Sequence, residues 1–365
     1  MGASIKLFDV AGTAVRVHPT FFLLLAWIAV FYWMQGGAEA AVSGVVFIAI
    51  LFVCVVLHEF GHILMARRFG IRTPDVTLLP IGGVASMERM PEKPSQEIAV
   101  ALAGPAVNLV IAAVLLLVLG VPLDGEALTR VAEGDAGLLL RIAIANVALL
   151  VFNLIPAFPM DGGRVLRALL AIPLGFTRAT RLAASIGQGL AIVLGFLGLL
   201  GNPLLILIAV FIFFAASGEA GYVQARDLTR GFLAHHAMIT RFESLSPLAS
   251  IDDAAELLLR TTQQEIPVVD GARRLRGVLL RGDILSALQK SGGATPVVDV
   301  MNREVKEVGE GMPLDQLVGE VHKQRGGVIG VVDMAGRLVG YISAENLWEM
   351  MTIRETRAAR SARAG

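Results

Sequence analysis

Cysteine is almost missing from this chain: Cys54 is the single one in 365 residues, so no intrachain disulfide can hold the fold. A net charge of either sign is missing too, with 31 basic and 31 acidic residues. No basic patch is interleaved with aromatics, and nucleic acid is not expected as a partner. Charged residues make up only 17% of the chain against 55% apolar, at a mean hydropathy of +0.69. Soluble domains keep their apolar share near half or below, so a membrane protein is expected. The opening stretch, MGASIKLFDVAGTAVRVHPT, lacks the basic start, short apolar core and small-residue cleavage site of a signal peptide. The first span is therefore expected to stay as an anchor.

The apolar excess runs from about residue 20 to 217, after which polar residues return at soluble-domain frequency. The fold class expected is a polytopic α-helical membrane protein of about six transmembrane helices, followed by a cytosolic α/β domain. The spans fall at about 21–34, 42–66, 98–120, 138–156, 183–200 and 203–217, with a short hairpin over 5–17 before them. Six crossings place both termini on one side. Lys6, Arg16, Arg67, Arg68, Arg72, Arg164, Arg167, Arg178 and Arg181 share that side, whereas the loop 121–140 carries only Arg130. By the positive-inside rule the termini are cytosolic, with Arg141 a point against.

Histidine is scarce, six in all, yet two stand in His58-Glu59-Phe60-Gly61-His62 at the end of an apolar run. Residues four apart share a helix face, so both imidazoles can meet one metal ion while Glu59 stands beside it. Catalytic zinc keeps three protein ligands and leaves its fourth position to water, which a neighbouring carboxylate can deprotonate. Ionisable side chains inside a span mark functional sites. Cys54, one turn before His58, reads as a small buried residue rather than a third ligand. His18, before the first span, reads as an interfacial anchor.

For the third ligand the sequence offers Asp161, in the broken stretch Asn153 to Arg164, where two prolines and a glycine pair interrupt the helix. An N-cap role is the alternative, and spacing favours the ligand. Between the second and third spans, Thr73 to Met87 is not helical. Its pair Gly82-Gly83 is expected to border the site and to hold an extended substrate segment by β-augmentation. In the third span Gly104 reads as packing, while Asn108 is an amide that needs a partner.

From about Phe232 the chain repeats at an offset of 63 residues: Met238 with Met301, Asp270 with Asp333, Gly277 with Gly340 and Asp283 with Asn346. Each copy reads helix, strand, turn, strand, helix, with strands at 266–269 and 275–280, then 328–332 and 338–342. The tail from Arg354 reads as a solvated or disordered basic end.

Together, His58 through His62, Gly82-Gly83, Gly104-Pro105-x-x-Asn108 and Asn153 through Gly162 resemble the site-2 protease family of intramembrane zinc metalloproteases. The repeat resembles a tandem pair of cystathionine-β-synthase (CBS) domains. The first resemblance implies one Zn2+ held by His58, His62 and Asp161, with Glu59 activating water and Asn108 and Asn153 as secondary polar groups near substrate. It also implies a single-span membrane protein as substrate and the plasma membrane of a prokaryote as location. The second implies an adenine nucleotide near Asp283, Ser343 and Asn346, and homodimerisation through the pair. The family's paired hydroxyl and Asp is split here, with Leu280 before Asp283 and Ser343 before Asn346, so a purely structural module is the competing reading. The expected division is a protease domain over 1-222, a linker over 223-235, a CBS pair over 236-352 (236-290 and 299-352) and a basic tail over 353-365. A CBS-gated transporter or channel using the His/Glu/Asp cluster as an ion path is the alternative from another class, and a catalytically dead scaffold a third.

Overall fold

The computed structural model describes residues 4–80, 82–87, 91, 93–122, 125–132 and 136–364. The chain divides into two units, Met1–Ala220 and Gly221–Gly365.

The first unit opens on the expected hairpin, β1 (Ile5–Val10) and β2 (Thr13–Val17), turned at Ala11 and Gly12 with φ of 50° and 77°. His18 caps α1 (Pro19–Arg68), its ring accepting from Thr20 N–H, so it serves the helix start rather than the site. Fifty residues of helix are about 75 Å long, more than twice a bilayer's hydrocarbon core of about 30 Å. The helical backbone breaks at Gly36 and Gly37, between two apolar halves. Next come β3 (Asp75–Leu79) and β4 (Gly82–Ala85). β3 runs parallel to β2 and antiparallel to β4, giving the order β1-β2-β3-β4 with β4 at one edge.

The helices that follow are α2 (Pro94–Leu119), α3 (Gly125–Ala132), α4 (Leu138–Asn153), α5 (Asp161–Leu174), α6 (Phe176–Leu199) and α7 (Pro203–Thr229). Among the described residues four helices, α1, α2, α6 and α7, are long and apolar enough to cross a membrane, and α4 is a shorter apolar helix. Trp27, Trp33, Leu117, Phe196, Leu200 and Phe214 are all exposed. Helices apolar on every side, with such side chains turned outward, are what a lipid surround requires.

Two charges counted toward orientation have structural work instead. Arg167 is buried, with Nε and Nη2 on Glu97 Oε1 at 2.6 and 2.5 Å and Nη1 on Glu219 Oε1 at 2.6 Å, which ties α2, α5 and α7 together. A guanidinium so enclosed is not a loop charge. Arg141 lies with its guanidinium 4.6 Å from the Phe47 ring centre, a favourable seat for a cation at a helix end.

The second unit holds α8 (Ile251–Arg260), β5 (Glu265–Val269), β6 (Leu275–Leu280), α9 (Arg281–Lys290), β7 (Glu307–Gly309), α10 (Val318–Lys323), β8 (Val328–Val332), β9 (Leu338–Ser343) and α11 (Ala344–Ala364). β5 pairs with β6, and β7, β8 and β9 form a second sheet. The three-residue β7 was too short to stand out in sequence. Residues 223–229 of the expected linker continue α7.

The copies interlock. Ile239 bridges to Tyr341 in the second copy, and Asn302, at the start of that copy, bridges to Val278 in the first. Met301 lies against Gly277 and Met238 against Gly340, which accounts for both repeated pairs. Leu275, Val278, Val328, Leu338 and Tyr341 close a shared core. Asp270 and Asp333 are turn-formers: each Oδ1 accepts two backbone N–H groups, from Ala272 and Arg274 and from Ala335 and Arg337. The Arg274 and Arg337 N–H bonds hold the two carboxyls below the usual carboxylate range.

The end read as a solvated or disordered basic tail is helical, and its described side chains past Arg354 are exposed. α11 runs on to Ala364, and Arg354 is fixed with its guanidinium 3.5 Å from the Phe232 ring centre while donating to Leu228 O. Alanine and arginine are strong helix formers, and that stacking anchors the helix. Side chains beyond Arg360 lie outside the described residues.

Candidate metal centre

His58 and His62 project from one face of α1, with ring centres 4.7 Å apart, and both are buried. Asp161 opens α5. The N-cap there is Met160, so Asp161 is the first helical residue and not the cap. Asp161 Oδ2 stands 3.2 Å from His58 Nε2 and 3.2 Å from His62 Nε2, and the two Nε2 atoms are 3.0 Å apart. Among the described residues these three form one group able to hold a metal ion.

The donor chemistry makes the case stronger. His62 Nδ1 donates to Val100 O at 2.7 Å, and His58 Nδ1 donates to Asn108 Oδ1. Each neutral ring then turns an Nε2 lone pair inward. Asp161 Oδ2 is buried without a hydrogen-bond partner. With both rings neutral, three acceptors face one another and repel unless a cation lies between. Ligand atoms of a tetrahedral zinc, with bonds of about 2.0–2.1 Å, stand about 3.3 Å apart, close to the spacing seen here.

Gly104 is more than packing. A Cβ on it would come 2.2 Å from His62 Nε2 and 2.7 Å from His58 Nε2, so its lack of a side chain leaves the room a metal ion needs. Gly83 on β4 does the same for Glu59: a Cβ there would meet Glu59 Cγ at 2.7 Å. The Glu59 carboxylate has no hydrogen bond among the described residues and lies beneath an edge strand, with Gly82 beside it in register with Leu79.

Asn108 is fully buried and joins the group through His58. Asn153 does not: it is half-buried at the last residue of α4 and enters none of these hydrogen bonds. The amide that Asn108 finds is Asn146, one of several polar residues in apolar runs that sequence gave no reason to choose. Cys54 is buried one turn away and outside the group.

In the second unit Ser343 is buried and its Oγ accepts from Asn346 N–H, capping α11. Asp283 takes Arg325 on Oδ1 at 2.8 Å. Asp283 Oδ2 and Asn346 Oδ1, at equivalent places in the two copies, are buried without partners.

The fold and site define a membrane metalloprotease, and comparison with known proteins agrees. The profile of Peptidase family M50 matches residues 46–133 and 129–196, and that of the CBS domain matches 233–290 and 297–347. A zinc metalloprotease of Methanocaldococcus jannaschii is 33% identical over 97% of this chain and 98% of its own. A protein of Synechocystis sp. is 29% identical over 95% of each chain. A solved site-2 protease from M. jannaschii is 36% identical, covers 60% of this chain and 95% of its own, and gives a TM-score of 0.46. The chain belongs to peptidase family M50, the site-2 proteases, and is a zinc metalloprotease carrying a CBS domain pair.

Proposed function

We propose that the chain is an intramembrane endopeptidase that cuts single-span membrane proteins, with Zn2+ held by His58, His62 and Asp161 and with Glu59 as general base. The observation that carries this is the convergence of three buried acceptor atoms beside the gap left by Gly104. When bound, zinc polarises the scissile carbonyl and acidifies water. Glu59, without a hydrogen bond among the described residues and next to His58, takes the proton from water and returns it to the leaving amine nitrogen. A helical substrate hides its carbonyls in hydrogen bonds and must unwind before attack. The free edge of β4 offers backbone groups to pair with the unwound segment, and Gly83 keeps that edge against Glu59. Asn153, at the end of α4, is assigned to the substrate path.

Six crossings are proposed, two from the halves of α1 and one each from α2, α4, α6 and α7, within a protease domain over 1-222. The remaining basic residues at helix ends and in loops, Arg67, Arg68 and Arg72 among them, support cytosolic termini in a prokaryotic plasma membrane. An ion pathway is not favoured, since a conduit gains nothing from a free carboxylate beneath a strand edge.

The test is cleavage of single-span peptides by the detergent-purified protein before and after zinc removal by a chelator. Cleavage lost with the metal and restored by zinc is expected. Cleavage that survives complete removal overturns the reading.

The CBS pair is proposed to regulate the enzyme, as a dimer, by binding an adenine nucleotide at the unpartnered oxygens of Asp283 and Asn346 near Ser343. A buried acceptor without a partner costs about 1–3 kcal/mol, which ribose hydroxyls would relieve. AMP titrated into the full chain is expected to release heat, and Asn346→Leu to lose it. Equal heats from both would remove the site.

A further inference from the structure

A line of buried amides leads away from His58 and has no part in the chemistry above. Asn146, on α4, is fully buried and donates Nδ2 to Ile142 O at 2.9 Å. Its Oδ1 accepts from Asn108 Nδ2 at 2.8 Å. Asn108 Oδ1 in turn accepts from His58 Nδ1.

The direction of this line is not free. A backbone carbonyl can only accept, so the group that Asn146 offers Ile142 O must be its NH2. That turns the Asn146 oxygen toward Asn108, which must answer with its own NH2. The Asn108 oxygen is then left for His58 Nδ1, which has to carry the hydrogen. Each step removes one of two choices, and the last removes the wrong tautomer of the ring.

We infer that Asn146 is a positioning residue for the metal centre: through Asn108 it fixes His58 as the Nδ1–H tautomer and thereby aims the Nε2 lone pair at the metal. The inference rests on the proposed ligand set. His62 reaches the same state through one backbone carbonyl, Val100 O, on α2. His58 has no carbonyl in that place, and the two amides carry the constraint across from α4. The competing role for paired amides in apolar helices is to hold α2 and α4 together, which costs stability when lost but leaves the ring alone.

Two substitutions separate these roles. Asn146→Leu keeps the volume and suits an apolar surround, but lets the Asn108 amide turn over. Asn146→Asp keeps an acceptor facing Asn108 Nδ2 and so keeps the Asn108 oxygen on His58. If Asn146 orients the ring, zinc affinity, measured by competition with a chromophoric chelator, falls about 10- to 100-fold in Asn146→Leu and by less than about threefold in Asn146→Asp. If it only joins helices, zinc affinity is unchanged in both variants and the loss is one of stability, larger for Asn146→Asp because a buried carboxylate is worse than a leucine. The double variant Asn108→Leu/Asn146→Leu should bind zinc no more weakly than Asn108→Leu alone, since both act through one hydrogen bond. Should Asn146→Leu not fold, Asn146→Ser, too short to reach Asn108, replaces it with the same expectation. Unchanged zinc affinity in the leucine or serine variant, or full additivity in the double variant, overturns the inference. A wild-type protein that binds no zinc overturns the ligand set itself, and the two failures are told apart by that control.

Discussion

Glu59→Gln is expected to lower peptide turnover by about two to four orders of magnitude while zinc stays at one per chain. The carboxylate is not part of the His58, His62 and Asp161 group and has no hydrogen bond among the described residues, so its loss leaves those three side chains in place. Glutamine has the same length and keeps its contact with Gly83, so β4 need not move. What disappears is the ability to accept a proton from water and to hand it to the amine. Single-turnover cleavage with metal analysis on the same sample is the measurement. Turnover within about threefold of wild type would remove Glu59 as the base. His58→Gln should instead lose zinc and activity together.

Arg167→Met should destabilise the membrane unit by about 3–5 kcal/mol, read from unfolding in detergent. The guanidinium joins two carboxylates and lies against two aromatic rings, with its carbon 5.0 Å from the Phe158 centre and 4.8 Å from that of Phe176. Removing it leaves Glu97 buried and Glu219 half-buried without their shared partner. Restoring neutrality with Glu97→Gln and Glu219→Gln in the same chain should recover most of the loss, because the penalty lies in the unpaired charges. Asp161 begins the helix that carries Arg167, so the single variant should also bind zinc more weakly. Full stability in Arg167→Met would mean that the network contributes nothing.

The reach of sequence was set by distance along the chain. His58, Glu59 and His62 were legible because helix periodicity alone brings them together. Asp161 was legible as the carboxylate of a broken stretch, although only the fold shows that it opens α5 rather than capping it. Asn146 was not legible, since its meeting with Asn108 depends on how α4 crosses α2, and its sequence surroundings look like any apolar helix. The burial of Arg167 was not legible for the same reason: its partners lie 70 and 52 residues away. In the second unit the repeat singled out the Asp, Met and Gly positions, while the turns and the Met–Gly contacts they make came only with the fold. The order of the tail was not legible because the Phe232 ring that receives Arg354 is 122 residues upstream.

The exchange of opening segments between the CBS copies carries a consequence for the integrity of that unit. Since residues near Met238 complete the second copy and residues near Met301 complete the first, neither can be cut out as a self-sufficient module. A backbone nick between Lys290 and Val297 would sever the chain and still leave two fragments clasped, each contributing a piece the other lacks. Such a clasp resists opening one copy at a time, so a signal felt at either half is felt by the pair.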